Sequence, residues 1–298
     1  MEVSSHALAQ HRVDGVRFAV GVFTNLTQDH LDFHRTMDDY FAAKARLFEP
    51  GRSETAVINA DDPWGQRLLG SVAVPAAAYS IADAGDLELG PQGASFTWAG
   101  TPVRLQLRGR FNVLNALAAA TAARQLGIPV GAIAAGLGRV GSVPGRFETV
   151  DAGQPFTVVI DYAHTPDALE RALTAARELT TGRLLVVFGA GGDKDRAKRP
   201  LMGEAATRLA DLAVLTSDNP RSEDPLAIIA EVQAGADDAR LVVEPDRADA
   251  IRLAVDRAEP GDVVVIAGKG HETGQRFKDH TIPFDDRIVA REILEARS

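Results

Sequence analysis

The second half of the chain alternates short apolar runs with amphipathic stretches. The apolar runs predict buried strands at residues 156–160, 184–188, 212–215, 241–244 and 263–267. Helical periodicity fills the intervals at residues 166–179, 198–210, 225–234 and 247–258. Continuous apolar runs are typical of strands buried on both faces, and such strands alternate with helices in parallel sheets. We therefore predict an α/β fold in which helices cover both faces of a mostly parallel sheet.

The first half has a less regular pattern. In chain order it predicts a strand at 16–26, a helix at 36–48, a strand leading into a capped helix at 55–63, antiparallel strands at 86–108 and an alanine-rich helix from 110. The turn-rich segment 141–148 is the best candidate linker. We therefore predict two domains, residues 1–143 and 144–298.

Three predicted strands end in polar loops. The strand at 212–215 leads to Asp218 and Arg221, the strand at 184–188 leads to a glycine-rich loop that reaches Arg199, and the strand at 263–267 leads to Glu272. Open α/β sheets bind ligands at the carboxyl ends of their strands, so we expect the three loops to converge on one pocket. Charges of both signs suit a zwitterionic ligand, although each loop alone could be ordinary turn chemistry.

Composition excludes several classes of function. A chain of 298 residues that is 45% hydrophobic can form two domain cores. Its formal net charge of −9 does not indicate nucleic-acid binding. The absence of cysteine excludes disulfides and thiolate chemistry and fits a cytoplasmic protein. No stretch approaches the ~20 apolar residues of a membrane span, so we predict no membrane insertion.

The glycine loops do not fit the common nucleotide-binding motifs. Lys194 and Thr273 stand where the third glycine of a dinucleotide fingerprint would follow Gly189 and Gly268. A P-loop is also missing, because Lys269 is followed by glycine rather than by Ser or Thr. These mismatches argue against a dehydrogenase.

Chemistry-bearing residues in the first half each allow two interpretations. The loop at 24–34 contains two Asp and two His, which could hold a hard cation such as Mg²⁺ or serve as caps and surface groups. From its neighbours in the sequence, Lys44 is predicted to be a solvated lysine on a helix. Asn112 is predicted to be a helix cap, whereas Asn115 could be either a cap or a ligand contact.

Taken together, these motifs resemble those of the Mur ligases. In chain order the matching segments are 1–6, 24–34, 40–48, 112–118, 144–146, 161–167, 189–199, 218–221 and 268–272. In this family a UDP-sugar-binding domain precedes a central ATPase domain and a Rossmann-like C-terminal domain. The resemblance implies that residues 1–143 are part of the ATPase domain and that residues 144–298 bind the incoming amino acid. We expect the chain to be a fragment without the N-terminal domain and the P-loop, inactive alone.

The resemblance implies a cytoplasmic ligase of peptidoglycan synthesis, on which cell-wall biogenesis, cell shape and cell division depend. ATP would convert a carboxylate of UDP-MurNAc-L-Ala-D-Glu into an acyl phosphate, which the amine of a diamino acid would attack. Glu2 and His30 would ligate Mg²⁺, and a carbamylated Lys44 would hold a second Mg²⁺. On this basis the solvated interpretation of Lys44 is set aside.

The resemblance to the Mur ligases also implies roles for the remaining predicted site residues. They are Ser4, Gln10 and Arg12 for the UDP-sugar substrate, Asn115, His164 and Asp167 for ATP, and Arg199, Asp218, Asn219, Pro220, Arg221, Gly268 and Glu272 for the diamino acid. The sequence Asp-Asn-Pro-Arg implies meso-diaminopimelate, because a guanidinium can bind the distal carboxylate bidentately. L-lysine and L-ornithine are alternative substrates. A non-catalytic module that binds an amino acid or a nucleotide is the alternative function.

Overall fold

The computed structural model describes residues 1–31, 33–90 and 92–297. They form two compact units, Met1–Gly141 and Ser142–Ser298. The assignment of these units to a partial ATPase domain and an amino-acid-binding domain stays a prediction.

The first unit contains two small sheets. Its elements are α1 (Ser5–Ala9), β1 (Phe18–Phe23), α2 (Met37–Ala45), β2 (Ser53–Asn59), α3 (Pro63–Leu69), β3 (Ala76–Tyr79), β4 (Gly85–Gly90), β5 (Gly93–Trp98), β6 (Thr101–Leu105), α4 (Arg110–Gln125) and α5 (Val130–Gly138). Strands β1, β2 and β3 form a parallel sheet in that order. Strands β4, β5 and β6 form the antiparallel sheet that the alternating pattern predicts.

Capping residues determine where two helices of the first unit, α2 and α3, begin. Thr36 caps α2 by accepting a hydrogen bond from the Asp39 amide. Asp62 caps α3 through the Trp64 and Gly65 amides, with Pro63 as the first helical residue. The predicted helix at 36–48 is thus confirmed, although its last turn, Arg46–Phe48, is 3₁₀.

The second unit is a six-stranded sheet with helices on both faces. Its elements are β7 (Glu148–Val150), β8 (Thr157–Asp161), α6 (Pro166–Leu179), β9 (Leu184–Phe188), α7 (Lys198–Leu209), β10 (Leu212–Leu215), α8 (Pro225–Gln233), β11 (Leu241–Val243), α9 (Arg247–Arg257), β12 (Val263–Ala267), β13 (Gly274–Arg276), β14 (Thr281–Pro283) and α10 (Asp286–Arg297). The strand order is β11-β10-β9-β12-β8-β7, and only the β7–β8 pair is antiparallel.

The strands of this sheet alternate their side chains between two apolar layers. Val158, Ile160, Val264 and Ile266 belong to the core formed with α9 and α10. Helix α6 packs beside α7, and α7 beside α8. Because both faces are covered, β9 and β12 are buried along their whole length. The predicted α/β class with a mostly parallel sheet is confirmed.

Three features of the second unit were not predicted from the sequence pattern, and the first is the antiparallel edge strand β7. Helix α10 closes the chain, and β13 and β14 form a short antiparallel hairpin immediately after the β12 loop. Within the described part of the chain, no helix combines the length and the apolar character needed to cross a membrane.

Candidate functional site

A cavity of about 510 Å³ lies in the first unit, between the N-terminal segment, β1 and α2. Its wall includes three predicted metal-site residues, Glu2, His30 and Lys44. Lys44 is half-buried, with its Nζ 5.3 Å from the centroid of the Tyr40 ring. The structure therefore places this lysine in a cavity wall, which the solvated interpretation did not anticipate.

Burial and nearby carboxylates shape the electrostatics of this cavity. Burial lowers the pKa of the Lys44 amine, and the charges of Glu2 and Asp29 oppose that shift. Burial, with a smaller contribution from Asp29, raises the pKa of Tyr40 to about 12. The Asp29 carboxylate lies 3.7 Å from His30 Nε2. Lys44 thus faces anionic groups in a partly desolvated space.

The donor set of this cavity fits a hard cation only if Lys44 is modified. Carboxylate oxygens are the ligands that a hard cation prefers, imidazole is a less usual one, and an ammonium group repels a divalent cation. Among the described residues, no group of three or more His, Cys, Asp or Glu side chains is arranged to hold a metal ion. A carbamate on Lys44 would replace the positive charge with two oxygen ligands.

The other predicted residues of the first unit are dispersed. Ser4 lines the cavity and caps α1, where its Oγ accepts a hydrogen bond 3.1 Å long from the Ala7 amide. Gln10 and Arg12 are exposed beyond α1. Asn115 is exposed on α4, and its Nδ2 donates to Asn112 Oδ1 at 3.2 Å. The structure therefore groups Ser4 with the metal-site residues and leaves Gln10, Arg12 and Asn115 at the surface.

A second candidate site lies in the second unit, where β9, β10 and β12 end side by side. Asn219, in the loop after β10, donates from Nδ2 to Glu272 Oε2 at 2.8 Å, in the loop after β12. Arg221 Nη1 donates to the Gly192 carbonyl at 2.7 Å, in the loop after β9. The structure thus brings the three predicted loops into direct contact.

Close approach requires glycine at two positions in these loops. A Cβ at Gly268, whose φ is +118°, would lie 2.6 Å from Asp218 Oδ2. A Cβ at Gly192 would lie 1.9 Å from the Pro220 carbonyl oxygen. Arg221 itself has a φ of +53°, a left-handed conformation that is uncommon for a non-glycine residue. The Arg221 amide donates to the Arg276 carbonyl at 3.0 Å, which anchors this part of the backbone at the edge of the site.

The site contains an unpaired buried carboxylate oxygen. Asp218 is 7% exposed, and its Oδ1 accepts from the Asn219 amide at 2.6 Å. Its Oδ2 has no hydrogen-bond partner among the described residues. A buried carboxylate oxygen without a partner is costly, so this oxygen is suited to a donor or cation supplied by a ligand.

Arg199 is oriented differently from the other predicted residues. It is fully buried, and its terminal nitrogens lie 2.7 Å from Glu223 Oε1 and 2.8 Å from Glu231 Oε2. Against the effect of burial, these two carboxylates raise the pKa of Arg199. The side chain therefore holds the loops from within the protein, and its role as a direct ligand contact stays a prediction.

His164 and Asp167 follow β8 at the same end of the sheet. His164 Nδ1 is 2.9 Å from the Tyr162 carbonyl oxygen, and the Tyr162 ring lies 5.4 Å from that of His271 in the β12 loop. Asp167 pairs with Arg171 at 2.9 Å on the first turns of α6. The β8 end thus borders the β12 loop, as its predicted position requires.

Sequence reasoning overlooked several side chains that border this site. The Arg146 guanidinium carbon lies 4.5 Å from the Tyr162 ring centroid. Burial, followed by the charge of Glu272, raises the pKa of Tyr162. Asp161 accepts from the Phe147 and Ala163 amides, each at 2.8 Å. These residues lie within the matched segments 144–146 and 161–167, but no spacing rule distinguished them there.

Family models match both units of the chain. A model described as the Mur ligase middle domain matches residues 1–123. A model described as the glutamate ligase domain of Mur ligases matches residues 145–270. Together these two matches include most of the 298 residues.

The chain is also similar to curated proteins over its whole length. The UDP-N-acetylmuramoyl-L-alanyl-D-glutamate–2,6-diaminopimelate ligase of Syntrophomonas wolfei is 51% identical to it, with 100% of this chain and 64% of the relative covered. The ligase of the same description from Streptomyces avermitilis is 50% identical, with 99% and 62% covered. The chain thus spans less than two thirds of the length of these relatives.

Solved structures give the same result for the fold. A structure described as a UDP-N-acetylmuramoyl-L-alanyl-D-glutamate–2,6-diaminopimelate ligase has a TM-score of 0.61 and 38% identity, with 99% of this chain and 64% of that chain covered. The MurF ligase of Thermotoga maritima has a TM-score of 0.72 at 19% identity, with 97% and 65% covered, and supports the fold alone.

Proposed function

Because this chain belongs to the Mur ligase family, we propose that its second unit binds meso-diaminopimelate for an ATP-dependent ligase reaction. The amine of the diamino acid would attack the ATP-activated carboxylate of UDP-MurNAc-L-Ala-D-Glu, phosphate would leave, and the product would be an amide in cytoplasmic peptidoglycan precursor synthesis. This proposal is supported by relatives that are about 50% identical and carry the name of that ligase.

The unpaired Oδ2 of Asp218 is the structural observation that carries the proposal. A buried carboxylate oxygen of this kind suits an ammonium group. Glu272 is 32% exposed as a side chain and provides a second anion beside it. An amino acid ligand would place its ammonium group against these two carboxylates.

Arg221 supports the choice of a ligand with a distal carboxylate. Its Nη1 donates to the Gly192 carbonyl, while its Nε and Nη2 make no hydrogen bond with the described residues. A guanidinium edge with free donors can bind a carboxylate bidentately. L-lysine and L-ornithine lack that carboxylate. Asn219, Pro220 and Gly268 would form the wall around it, and Arg199 would hold that wall in place.

The first unit would supply the phosphate chemistry. In this proposal Glu2 and His30 would hold one Mg²⁺, and the carbamate of Lys44 a second, in the cavity beside β1. A bound Mg²⁺ neutralises the charge that develops on phosphate oxygens. Ser4, Gln10 and Arg12 would contact the UDP-sugar, while Asn115, His164 and Asp167 would contact ATP.

Calorimetric titration of the 298-residue chain with diamino acids tests the second-unit site. Charge-assisted hydrogen bonds contribute about 1.5–3 kcal/mol, so meso-diaminopimelate should bind roughly tenfold or more tightly than L-lysine or L-ornithine. Equal affinity for the three amino acids would refute the proposed contact between Arg221 and the distal carboxylate. An absence of binding by all three would refute the amino-acid site.

Labelled bicarbonate tests the first-unit site separately. In ¹³C NMR spectra, the parent chain should show a carbamate carbon that a Lys44→Met variant lacks. Mg²⁺ should sharpen or shift this signal if the carbamate is a ligand. Identical spectra for parent and variant would exclude carbamylation of Lys44.

A further inference from the structure

Lys269 is a fully buried cation at the centre of the second-unit site. Its Nζ donates to Asn219 Oδ1 at 3.2 Å, to Glu272 Oε2 at 3.3 Å and to the Gly274 carbonyl at 2.6 Å. An ammonium group has three donors, and all three are used within the protein. The ammonium is therefore committed to these contacts rather than to a ligand.

The contact with Asn219 fixes the orientation of its amide group. Asn219 Oδ1 also accepts from the Arg276 amide at 2.9 Å. Because two donors converge on Oδ1, Nδ2 must face the other way, where it donates to Glu272 Oε2 at 2.8 Å. Lys269 and Arg276 together thus determine which end of the Asn219 amide meets Glu272.

The contact with Glu272 distinguishes the two oxygens of that carboxylate. Oε2 accepts from both Lys269 and Asn219. Oε1 makes no hydrogen bond with any residue that the structure describes. One oxygen of Glu272 is therefore held by the protein, and the other is left for a ligand.

The contact with Gly274 ties the β13–β14 hairpin to the site. Within that hairpin, the Arg276 carbonyl accepts from the Arg221 amide at 3.0 Å, and Gln275 Nε2 donates to the Asp218 carbonyl at 2.8 Å. Lys269 thus holds the strand that binds both ends of the 218–221 segment.

We propose that Lys269 is a positioning residue that presents Asn219 and Glu272 to the charged groups of the diamino acid. This inference rests on the proposed function, because it names that ligand. The protein accepts a buried ammonium at this position since a carboxylate and two further acceptors compensate its desolvation. Loss of the ammonium leaves Glu272 Oε2 with the Asn219 contact alone and frees one acceptor position of Asn219 Oδ1.

The binding test uses Lys269→Met, which keeps the length of the side chain and removes its charge. In calorimetric titrations of the 298-residue chain, this variant should bind meso-diaminopimelate at least tenfold more weakly than the parent. If Lys269 acts through Glu272, then Lys269→Met should cost much less in a Glu272→Gln background than in the parent. Fully additive losses would overturn the proposal, as would unchanged affinity in the single variant.

Asp262→Asn is a matched control at the opposite end of β12. Asp262 is buried and pairs with Arg183 at 2.8 Å before the strand begins, whereas Lys269 follows the strand. This variant should lower thermal stability without changing the affinity for meso-diaminopimelate. A comparable loss of affinity in Asp262→Asn would show that general destabilisation explains the effect.

A measurement without ligand separates this inference from the proposed function. In the parent chain, the Asn219 side-chain amide protons should exchange slowly with deuterated solvent, and Lys269→Met should accelerate exchange in residues 218–221 and 274–276. Rapid exchange of the Asn219 amide in the parent would overturn the positioning role without any variant. Slow exchange without any binding of diamino acids would instead support the hydrogen-bond network around Lys269 and refute the proposal that the site binds a diamino acid.

Discussion

The two candidate sites differ in how their polar groups find partners. In the second unit, Asn219 already hydrogen bonds to Glu272 in the β12 loop, and Arg221 to the Gly192 carbonyl in the β9 loop. In the first unit, Glu2, His30 and Lys44 share the wall of a cavity of about 510 Å³. The second site is organised by the protein itself, whereas the first provides space for groups that a ligand or a modification must add.

This difference follows from the elements that carry the residues. The second site is built on the ends of adjacent parallel strands, where short loops must approach one another closely. Residues of the first site come from the N-terminal segment, a loop and helix α2, which surround a space rather than fill it. Preorganised donors favour selection of a ligand, and the first site would need its remaining ligands added before it could hold a metal ion.

The largest expected effect comes from the buried ion pair beneath the second site. Arg247 and Asp286 are both fully buried, with Nη2 2.7 Å from Oδ2. Removing one partner from a buried pair costs about 3–5 kcal/mol, because the other charge is left uncompensated. Arg247→Met should therefore lower the free energy of unfolding of the second unit by that amount in urea titrations.

The control for this prediction replaces both charges. Arg247→Met combined with Asp286→Leu should recover most of the lost stability, since two apolar side chains can substitute for a buried pair. A single variant that unfolds at the same urea concentration as the parent would contradict the view that the second unit is organised by internal polar contacts.

Arg221→Ala should weaken the binding of meso-diaminopimelate. The lost charge-assisted hydrogen bonds contribute about 1.5–3 kcal/mol, which corresponds to roughly tenfold to a few hundredfold in the dissociation constant. L-lysine, which has no distal carboxylate, should lose far less affinity in the same calorimetric titrations. Equal losses of affinity for both amino acids would mean that Arg221 maintains the loop conformation instead of binding the distal carboxylate.

The sequence predicted the second unit accurately because its strands are buried on both faces. The strands at 184–188, 212–215 and 263–267 were predicted with the bounds that the structure gives. The helix at 166–179 was also predicted to the residue, since Thr165 caps it and Pro166 is its first residue. Continuous apolar runs and caps are local signals that a single sequence contains.

Partners that are distant in the sequence were not predictable in this way. Arg199 appeared to be a ligand contact, and no local pattern indicated that Glu223 and Glu231 would surround it. The central position of Lys269 likewise depends on a hairpin that brings Gly274 and Arg276 against Asn219. Lys44 has a helix neighbourhood typical of solvated lysines, and its cavity is formed by residues from elsewhere in the unit.

A smaller, pH-dependent effect should come from Glu223. Its hydrogen bonds with Arg199 lower the pKa of this carboxyl from 4.5 to about 2. Ionised Glu223 therefore contributes stability that is fully present above pH 4.5 and is lost as the pH falls towards 2. Glu223→Gln should lose about 1.5 kcal/mol at neutral pH, the lower end for a charged hydrogen bond because the side chain is partly exposed.

Urea titrations between pH 2 and pH 6 measure this contribution. The stability difference between parent and Glu223→Gln should shrink as the pH falls through the range in which Glu223 protonates. Asp193→Asn serves as a neighbouring comparison, because hydrogen bonds from Ser222 rather than from Arg199 lower the pKa of Asp193, so its pH-dependent contribution should persist when Arg199 is replaced. A difference that stays constant across this range would show that Arg199 does not stabilise ionised Glu223.

The smallest expected effect comes from replacing one helix cap in each unit. Asp62 accepts from the Trp64 and Gly65 amides at the start of α3, and Asp246 accepts from the Ala248 and Asp249 amides at the start of α9. Replacing Asp246 with alanine should cost about 1 kcal/mol, and Asp62→Ala somewhat more, because Asp62 Oδ2 also accepts from the Leu26 amide at 3.3 Å. Asp62→Ala should affect only the unfolding of the first unit, and Asp246→Ala only that of the second, as followed by hydrogen exchange of each unit's core strands. If Asp62→Ala also loosened β9 and β12, the two units would unfold together, and the two sites could no longer be treated as separately stabilised parts of the protein.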